Sequence, residues 1–218
     1  MTEADNKLEA TLSAYISTTG LEISTDKIQK LLAFVQQLHK WNKAFNLSGI
    51  KKIEDMLTLH ILDSLVLAPF VDGKQIADVG TGAGLPGIPL AIVYPGKHFV
   101  LIDSNSKKTR FVFQTCAQLG ISNVTVVHSR VEDYASIPQV DIVTSRAFAS
   151  LSDFVLGCRH IVTPAGKFLA MKGQYPQTEL DQLPPGFVAT SVNTLEVPGI
   201  QAERHVVDIR FNNQPCDD

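Results

Sequence analysis

At 218 residues the chain can hold one full α/β domain and a smaller extension. With 44% hydrophobic and 19% charged residues, its composition is that of a globular protein and argues against extensive disorder. The formal charge of −3 and a pI of about 6.1 exclude a protein that grips nucleic acid over its whole surface, so any such contact must come from a local patch. One stretch is a candidate: between Lys97 and Lys172 stand nine Lys or Arg against five acids, although on charge alone a solvated charged face is the better reading.

Cys116, Cys158 and Cys216 are far apart and have neither metal-ligand spacing nor the form of a redox pair, which suits a reducing cytosol. Residues 1–9 carry acids and no apolar core, unlike a signal peptide. Asp63, Pro69 and Asp72 interrupt the best candidate for a membrane span. A soluble, cytoplasmic protein with no membrane partner is expected.

Residues 1–72 read as a helical extension. Leu8, Leu12, Tyr15 and Ile16 share a helical face that Gly20 ends. Ser24 or Thr25 can cap a longer helix with apolar positions Ile28, Leu31, Leu32, Val35, Leu38 and Trp41. After a break at Asn46-Leu47-Ser48-Gly49, a third helix carries Ile53, Met56, Leu57, His60, Ile61, Ser64 and Leu65.

Residues 73–218 alternate between strand and helix. Strands are predicted at 76–79, 98–102, 124–128, 141–145 and 167–171, with helices such as 106–119 and 151–161 between them. That alternation implies a parallel, doubly wound sheet. Segments 188–197 and 206–211 follow with little helix between them and read as a terminal antiparallel hairpin. Five parallel strands finished by a hairpin make an α/β fold that resembles the outline of class I, Rossmann-like methyltransferases.

Asp78-Val79-Gly80-Thr81-Gly82-Ala83-Gly84 follows the first strand directly and precedes a helix. Ligands in such sheets bind beyond the carboxyl ends of the strands, at the switch point beside strand one. Glycine serves there because the turn needs positive φ and a Cβ would meet the ligand. Asp103, 21 residues after Gly82, ends the second strand, where a carboxylate can accept both ribose hydroxyls of an adenosine. Val131 and Glu132, after the third strand, stand where this class reads the adenine ring.

The same loop also spells Gly82-x-Gly84-x-x-Gly87, the dinucleotide fingerprint, so a dinucleotide-binding regulatory protein is an alternative. Two features favour S-adenosylmethionine instead. Asp78 stands where methyltransferases set an acid near the methionine amino group. Pro86 removes an N–H from the first helical turn, where a pyrophosphate would want donors.

No Asn/Asp-Pro-Pro-aromatic segment follows the fourth strand, which argues against amino-group methylation of adenine. Pro215-Cys216 resembles the nucleophile of carbon-5 pyrimidine enzymes but stands in a polar tail, and we read it as chance. Ser145-Arg146-Ala147-Phe148 occupies the position instead, and the Arg146 fork can hold a cofactor carboxylate, an RNA phosphate or the acceptor guanine. His60, Asp63 and Ser64 invite a hydrolase reading. Three groups within one helical turn do not converge as a triad must, so a hydrogen-bond cluster or a wall of the active-site mouth is the better reading.

Trp41-Asn42-Lys43-Ala44-Phe45-Asn46-Leu47, His60 through Leu65, Asp78 through Pro89, Leu101-Ile102-Asp103-Ser104, Ser145 through Phe148, Met171-Lys172-Gly173 and Glu203-Arg204-His205 together resemble the RsmG (GidB) family. The resemblance runs in consistent order over about residues 25–212. It implies a small-subunit ribosomal RNA methyltransferase G, acting on N7 of a guanine in 16S rRNA, with methylation of another RNA as the alternative within enzymes. It implies Gly80, Leu85, Val131, Glu132 and Arg146 as cofactor residues, beside Gly82 and Asp103 from the loop itself. Lys172 and Arg204, in two matching segments, are the expected RNA contacts. Arg146 has a positioning role, no catalytic residue is certain, and no metal is expected. The expected partner is small-subunit rRNA or the 30S particle, and a monomer is expected.

Overall fold

Side chains alternate between two faces along each central strand, and this alternation builds the molecule. The computed structural model describes residues 3–135, 138–146 and 148–212. Ala147 and the Pro215-Cys216 dipeptide lie outside the described residues. A seven-stranded sheet runs in the order β3-β2-β1-β4-β5-β7-β6. Its strands are β1 (Gln75–Val79), β2 (His98–Asp103), β3 (Val124–His128), β4 (Val140–Ser145), β5 (Val162–Lys172), β6 (Phe187–Thr194) and β7 (His205–Phe211). The first five are parallel, and β7 inserts antiparallel between β5 and β6. Because β1 pairs with β2 on one side and β4 on the other, the switch point lies at the carboxyl end of β1.

Phe99, Leu101, Leu169 and Met171 enter one apolar cluster, while Val100, Ile102, Phe168 and Ala170 enter the other. The first cluster also takes in helices α1 (Glu3–Ser17) and α2 (Thr25–Phe45), together with α5 (Gly87–Val93) and α6 (Ser106–Leu119). The helices ahead of β1 thus bury their apolar stripe on the sheet's own core. Phe34 and Trp41 of α2 meet Phe111 of α6, with ring centroids 6.3 and 5.6 Å apart. The second face is covered by α7 (Leu151–Cys158), against which α8 (Gln177–Asp181) packs.

Local signals in the sequence explain most boundaries. Asn105 caps α6 by accepting from Lys107 and Lys108 N–H, and Gly120 ends it in the left-handed conformation. Ser150 caps α7 by accepting from Asp153 N–H at 3.0 Å. Ser24 stands at the α2 N-cap without a side-chain capping bond, so the start of α2 owes more to its buried apolar face. Asn46 closes α2 at φ 56.

Several segments differ from expectation: β6 ends at Thr194 and not at 197, and the helix expected over 151–161 is α-helical only to Cys158. The predicted third helix is not a uniform α-helix: α3 (Ile53–Met56) runs into a π-helical stretch, Leu57–Leu62, and then α4 (Asp63–Leu65). β5 starts five residues before the predicted segment, and its pairing with β4 slips between Val140 and Ile142. No helix among the described residues is long and apolar enough to cross a membrane.

At Gly87 the first turn of α5 lies directly against β2. A Cβ there would collide with Leu101 Cδ2 and stand 2.8 Å from Asp78 Oδ2. Gly87→Ala should therefore cost on the order of 2 kcal/mol, read as a lower urea midpoint at unchanged slope.

Candidate active site

The glycine loop is tied down by its own backbone. Gly80 and Thr81 N–H donate to Ile102 O at 2.9 and 3.1 Å, and Gly82 N–H donates to Asp103 Oδ2 at 2.8 Å. Gly84 and Leu85 N–H donate to Thr81 O, Ile88 N–H to Gly84 O, and Gly87 N–H to Asp78 Oδ2 at 2.8 Å. Gly80, Gly82 and Gly84 all have positive φ, which is why glycine stands at each. A pyrophosphate site needs backbone N–H groups aimed at the ligand. Here seven loop amides are spent inside the protein and Pro86 has none, which argues against the dinucleotide alternative.

Asp78 lines neither of the two hollows beside the loop. It is fully buried under the loop, where Oδ2 also accepts from Thr81 Oγ at 2.7 Å and Oδ1 has no partner. Burial pushes its carboxyl up to about 6, against the lowering effect of those bonds.

Two open hollows meet at Gly80. One, of about 370 Å³, is walled by Asp103, Val131, Glu132, Phe148, Lys108 and Arg130. The other, of about 610 Å³, gathers Gly80, Gly82, Leu85, Arg146, Lys172 and Arg204 with Ser48, His60 and Asp63. The structure thus divides the expected site residues into an Asp103–Val131–Glu132 group and an Arg146–Lys172–Arg204 group, with Gly80 common to both. Lys107 and Arg110 line neither hollow and are exposed on α6. Nor do the nine cations of residues 97–172 form one free patch. Lys167 is buried and pairs with Asp72 and Asp208 at 3.0 and 3.5 Å, and Lys172 pairs with Glu179 at 2.7 Å.

The wall opposite the loop comes from the N-terminal helices. Asn42, buried in α2, donates to Ile50 O and accepts from Ser48 N–H, both at 2.8 Å, and so shapes the 46–50 turn. Ser48 Oγ lies 2.7 Å from His60 Nε2, while His60 Nδ1 lies 3.0 Å from Leu59 O. The network assigns the proton to Nδ1, with Ser48 donating to Nε2. Burial, reinforced by the Arg146 charge, pushes His60 down to about 4. Asp63 is 5% exposed and holds two cations: its Oδ2 accepts from Arg146 Nη1 and its Oδ1 from Arg204 Nε, each at 2.7 Å. Ser64 Oγ instead donates back to His60 O at 2.5 Å, which removes the hydrolase arrangement.

The double pairing of Asp63 and the Ser48–His60 contact are not legible in the sequence. The available signal was an acid set among Leu59, Val66 and Leu67 at helical spacing, since a buried carboxylate demands partners. No cluster of potential metal ligands occurs among the described residues. Cys116 and Cys158 are buried free thiols, pushed up to about 11 and about 12 by burial.

A family model described as rRNA small subunit methyltransferase G matches residues 27–207. The chain belongs to the GidB family. A ribosomal RNA small subunit methyltransferase G of Erwinia tasmaniensis is 48% identical over 198 residues, which cover 91% of this chain and 97% of that one. The protein of the same name from Salmonella typhimurium is 48% identical over 201 residues, covering 92% and 97%. Among solved structures, the B. subtilis tRNA methyltransferase TrmK matches with a TM-score of 0.56 at 10% identity, over 69% of this chain and 65% of its own. A methyltransferase from Thiobacillus denitrificans in complex with S-adenosyl-L-homocysteine matches with a TM-score of 0.51 at 13% identity, over 69% and 90%. These distant likenesses support the class I fold.

The His60 environment gives a measurable pH dependence. Unfolded histidine takes up a proton near 6.5, whereas folded His60 resists protonation down to about 4. Its share of stability is therefore present above 6.5 and lost as pH falls toward 4. His60→Gln should narrow the gap between wild type and variant over that window by on the order of 2 kcal/mol, measured by urea unfolding at stepped pH.

Proposed function

We propose that this protein transfers the methyl group of S-adenosylmethionine to N7 of a guanine in 16S ribosomal RNA. The observation that carries the reading is the junction at Gly80 of a hollow suited to a nucleoside with a cation-lined cleft, under a loop with almost no N–H to offer a phosphate. Membership of a family described as rRNA small subunit methyltransferase G supports the ribosomal substrate. The donor set fits the cofactor: a carboxylate and apolar walls for adenosine, and a permanent cation for a carboxylate.

Asp103 would accept the ribose hydroxyls, since its loop bonds leave lone pairs on both oxygens. Val131 N–H and Glu132 would read the adenine edge. Gly80, Gly82 and Leu85 give the cofactor close approach to the backbone, and Arg146 would hold the methionine carboxylate. Lys172 and Arg204, which line the same cleft, would meet RNA phosphate. When bound, S-adenosylmethionine supplies the methyl group on a sulfonium.

Guanine N7 carries a free in-plane lone pair at neutral pH. Transfer of the methyl from sulfur to that lone pair would move the positive charge to the purine and release no proton. The protein then needs neither a general base nor a nucleophile, only alignment and a suitable field. His60, neutral and engaged with Ser48, is consistent with that demand.

Single-turnover methylation of small-subunit RNA should be flat between about pH 7 and 9, beyond the titration of Asp78 near 6 and His60 near 4. Arg146→Ala should lower the rate equally at every pH, and Arg146→Lys should restore only part. A rate rising tenfold per pH unit with saturated RNA would mean an essential base and would exclude this mechanism. Gly80→Asp, at φ 69 and at the junction of the hollows, should abolish calorimetric binding of adenosylhomocysteine while the circular dichroism stays native.

A further inference from the structure

We propose that Asp63 is a positioning residue for methyl transfer: one buried carboxylate aims the Arg146 guanidinium at the cofactor and couples it to the Arg204 guanidinium on the RNA side. The inference rests on the functional reading above and extends it to a residue outside the methyltransferase sheet.

The three groups come from three separate parts of the fold. Asp63 is the first residue after the π-helical stretch Leu57–Leu62, Arg146 directly follows β4, and Arg204 directly precedes β7. They stand 83 and 141 positions apart in the chain and still meet at 2.7 Å on both sides. All three line the same cleft as the glycine loop. A widened π turn shifts the residues beyond it around the helix axis, and such turns recur at functional sites.

Charge explains why one carboxylate serves two cations. The side chains of Arg146 and Arg204 are only 25% and 24% exposed, so water screens them incompletely. Two guanidinium groups sharing one cleft would otherwise repel and turn outward. Asp63 offsets one of the two charges and spends one oxygen on each. A carboxylate that merely joined three segments could be replaced by an apolar contact at little cost. An apolar contact cannot orient a guanidinium. The bond engages Nη1 of Arg146, and a guanidinium has five N–H donors in a rigid fork, so fixing one corner fixes the direction of the rest. Asp63 is not a catalytic base in this scheme, because methylation at N7 releases no proton for it to take.

The test compares two nucleosides that differ in the group Arg146 would hold. Adenosylhomocysteine carries the amino-acid carboxylate, and 5′-methylthioadenosine lacks it. In titration calorimetry on the full chain, Asp63→Asn should weaken adenosylhomocysteine about tenfold and leave methylthioadenosine unchanged. Asp63→Glu should recover part of the loss. In methylation assays, Asp63→Asn should also raise the KM for small-subunit RNA, because Arg204 loses its anchor as well. Arg204→Ala is the second variant should Asp63→Asn fail to fold. It should weaken adenosylhomocysteine about threefold, again without touching methylthioadenosine, although Arg204 serves the RNA side. Equal loss for both nucleosides, or a lowered melting temperature with both affinities unchanged, would make Asp63 a structural tie only and overturn the proposal. Wild-type protein that binds adenosylhomocysteine no better than methylthioadenosine would overturn the assigned role of Arg146. Wild-type protein that binds neither would instead overturn the cofactor reading beneath it.

Discussion

The fastening of the glycine loop to the end of β2 is the constraint on which the site depends. Gly80 and Thr81 lean on Ile102 O, and Gly82 leans on the Asp103 carboxylate, so the turn leaving β1 cannot lift off its neighbour. Both hollows take their common edge from that turn. Asp78 works from beneath, binding Thr81 and Gly87 through one oxygen and so joining the loop to the first turn of α5. A buried carboxylate is a costly fastener unless its bonds are well made, and its raised titration point reflects that tension. Glycine is required twice over. The turn needs positive φ, and at Gly87 a side chain would strike Leu101.

A protein with net charge −3 assembles a cationic cleft by grouping, not by abundance. Arg146, Arg204 and Lys172 converge on one opening, yet Asp63 and Glu179 stand beside them. The carboxylates keep the local field moderate and hold long side chains in place, which lowers the entropy lost when a ligand arrives. An acceptor that becomes a cation would be poorly served by three unopposed positive charges. Partial neutralisation suits both an anionic RNA and a guanine that gains charge.

The N-terminal helices contribute to the same chemistry. Their apolar stripe closes one face of the sheet, and their polar exceptions, Asn42, Ser48, His60 and Asp63, face the cleft or shape the turn that does. Each exception is satisfied by a partner distant in sequence or by a shaped turn, as buried polar groups must be.

The sequence by itself determined the class I fold, the order of the strands along the chain and the glycine turn after β1, because these rest on short-range rules. Period-two and helical apolar patterns, caps such as Asn105 and Ser150, and glycines at positive φ all act within a few residues. The resemblance carried by seven short motifs added the ribosomal substrate. Only the tertiary structure decided which polar residues meet. The sharing of Asp63 by Arg146 and Arg204 spans 83 and 141 residues, and no periodicity reports a contact of that kind. The same holds for Asp78, whose burial under the loop follows from packing by Gly87 and Thr81. It holds for the π turn at Leu57–Leu62 as well, since its residues read as an ordinary amphipathic helix until the cleft they face is known. Local backbone preference is written along the chain, whereas the desolvation and pairing of charge depend on where the chain returns.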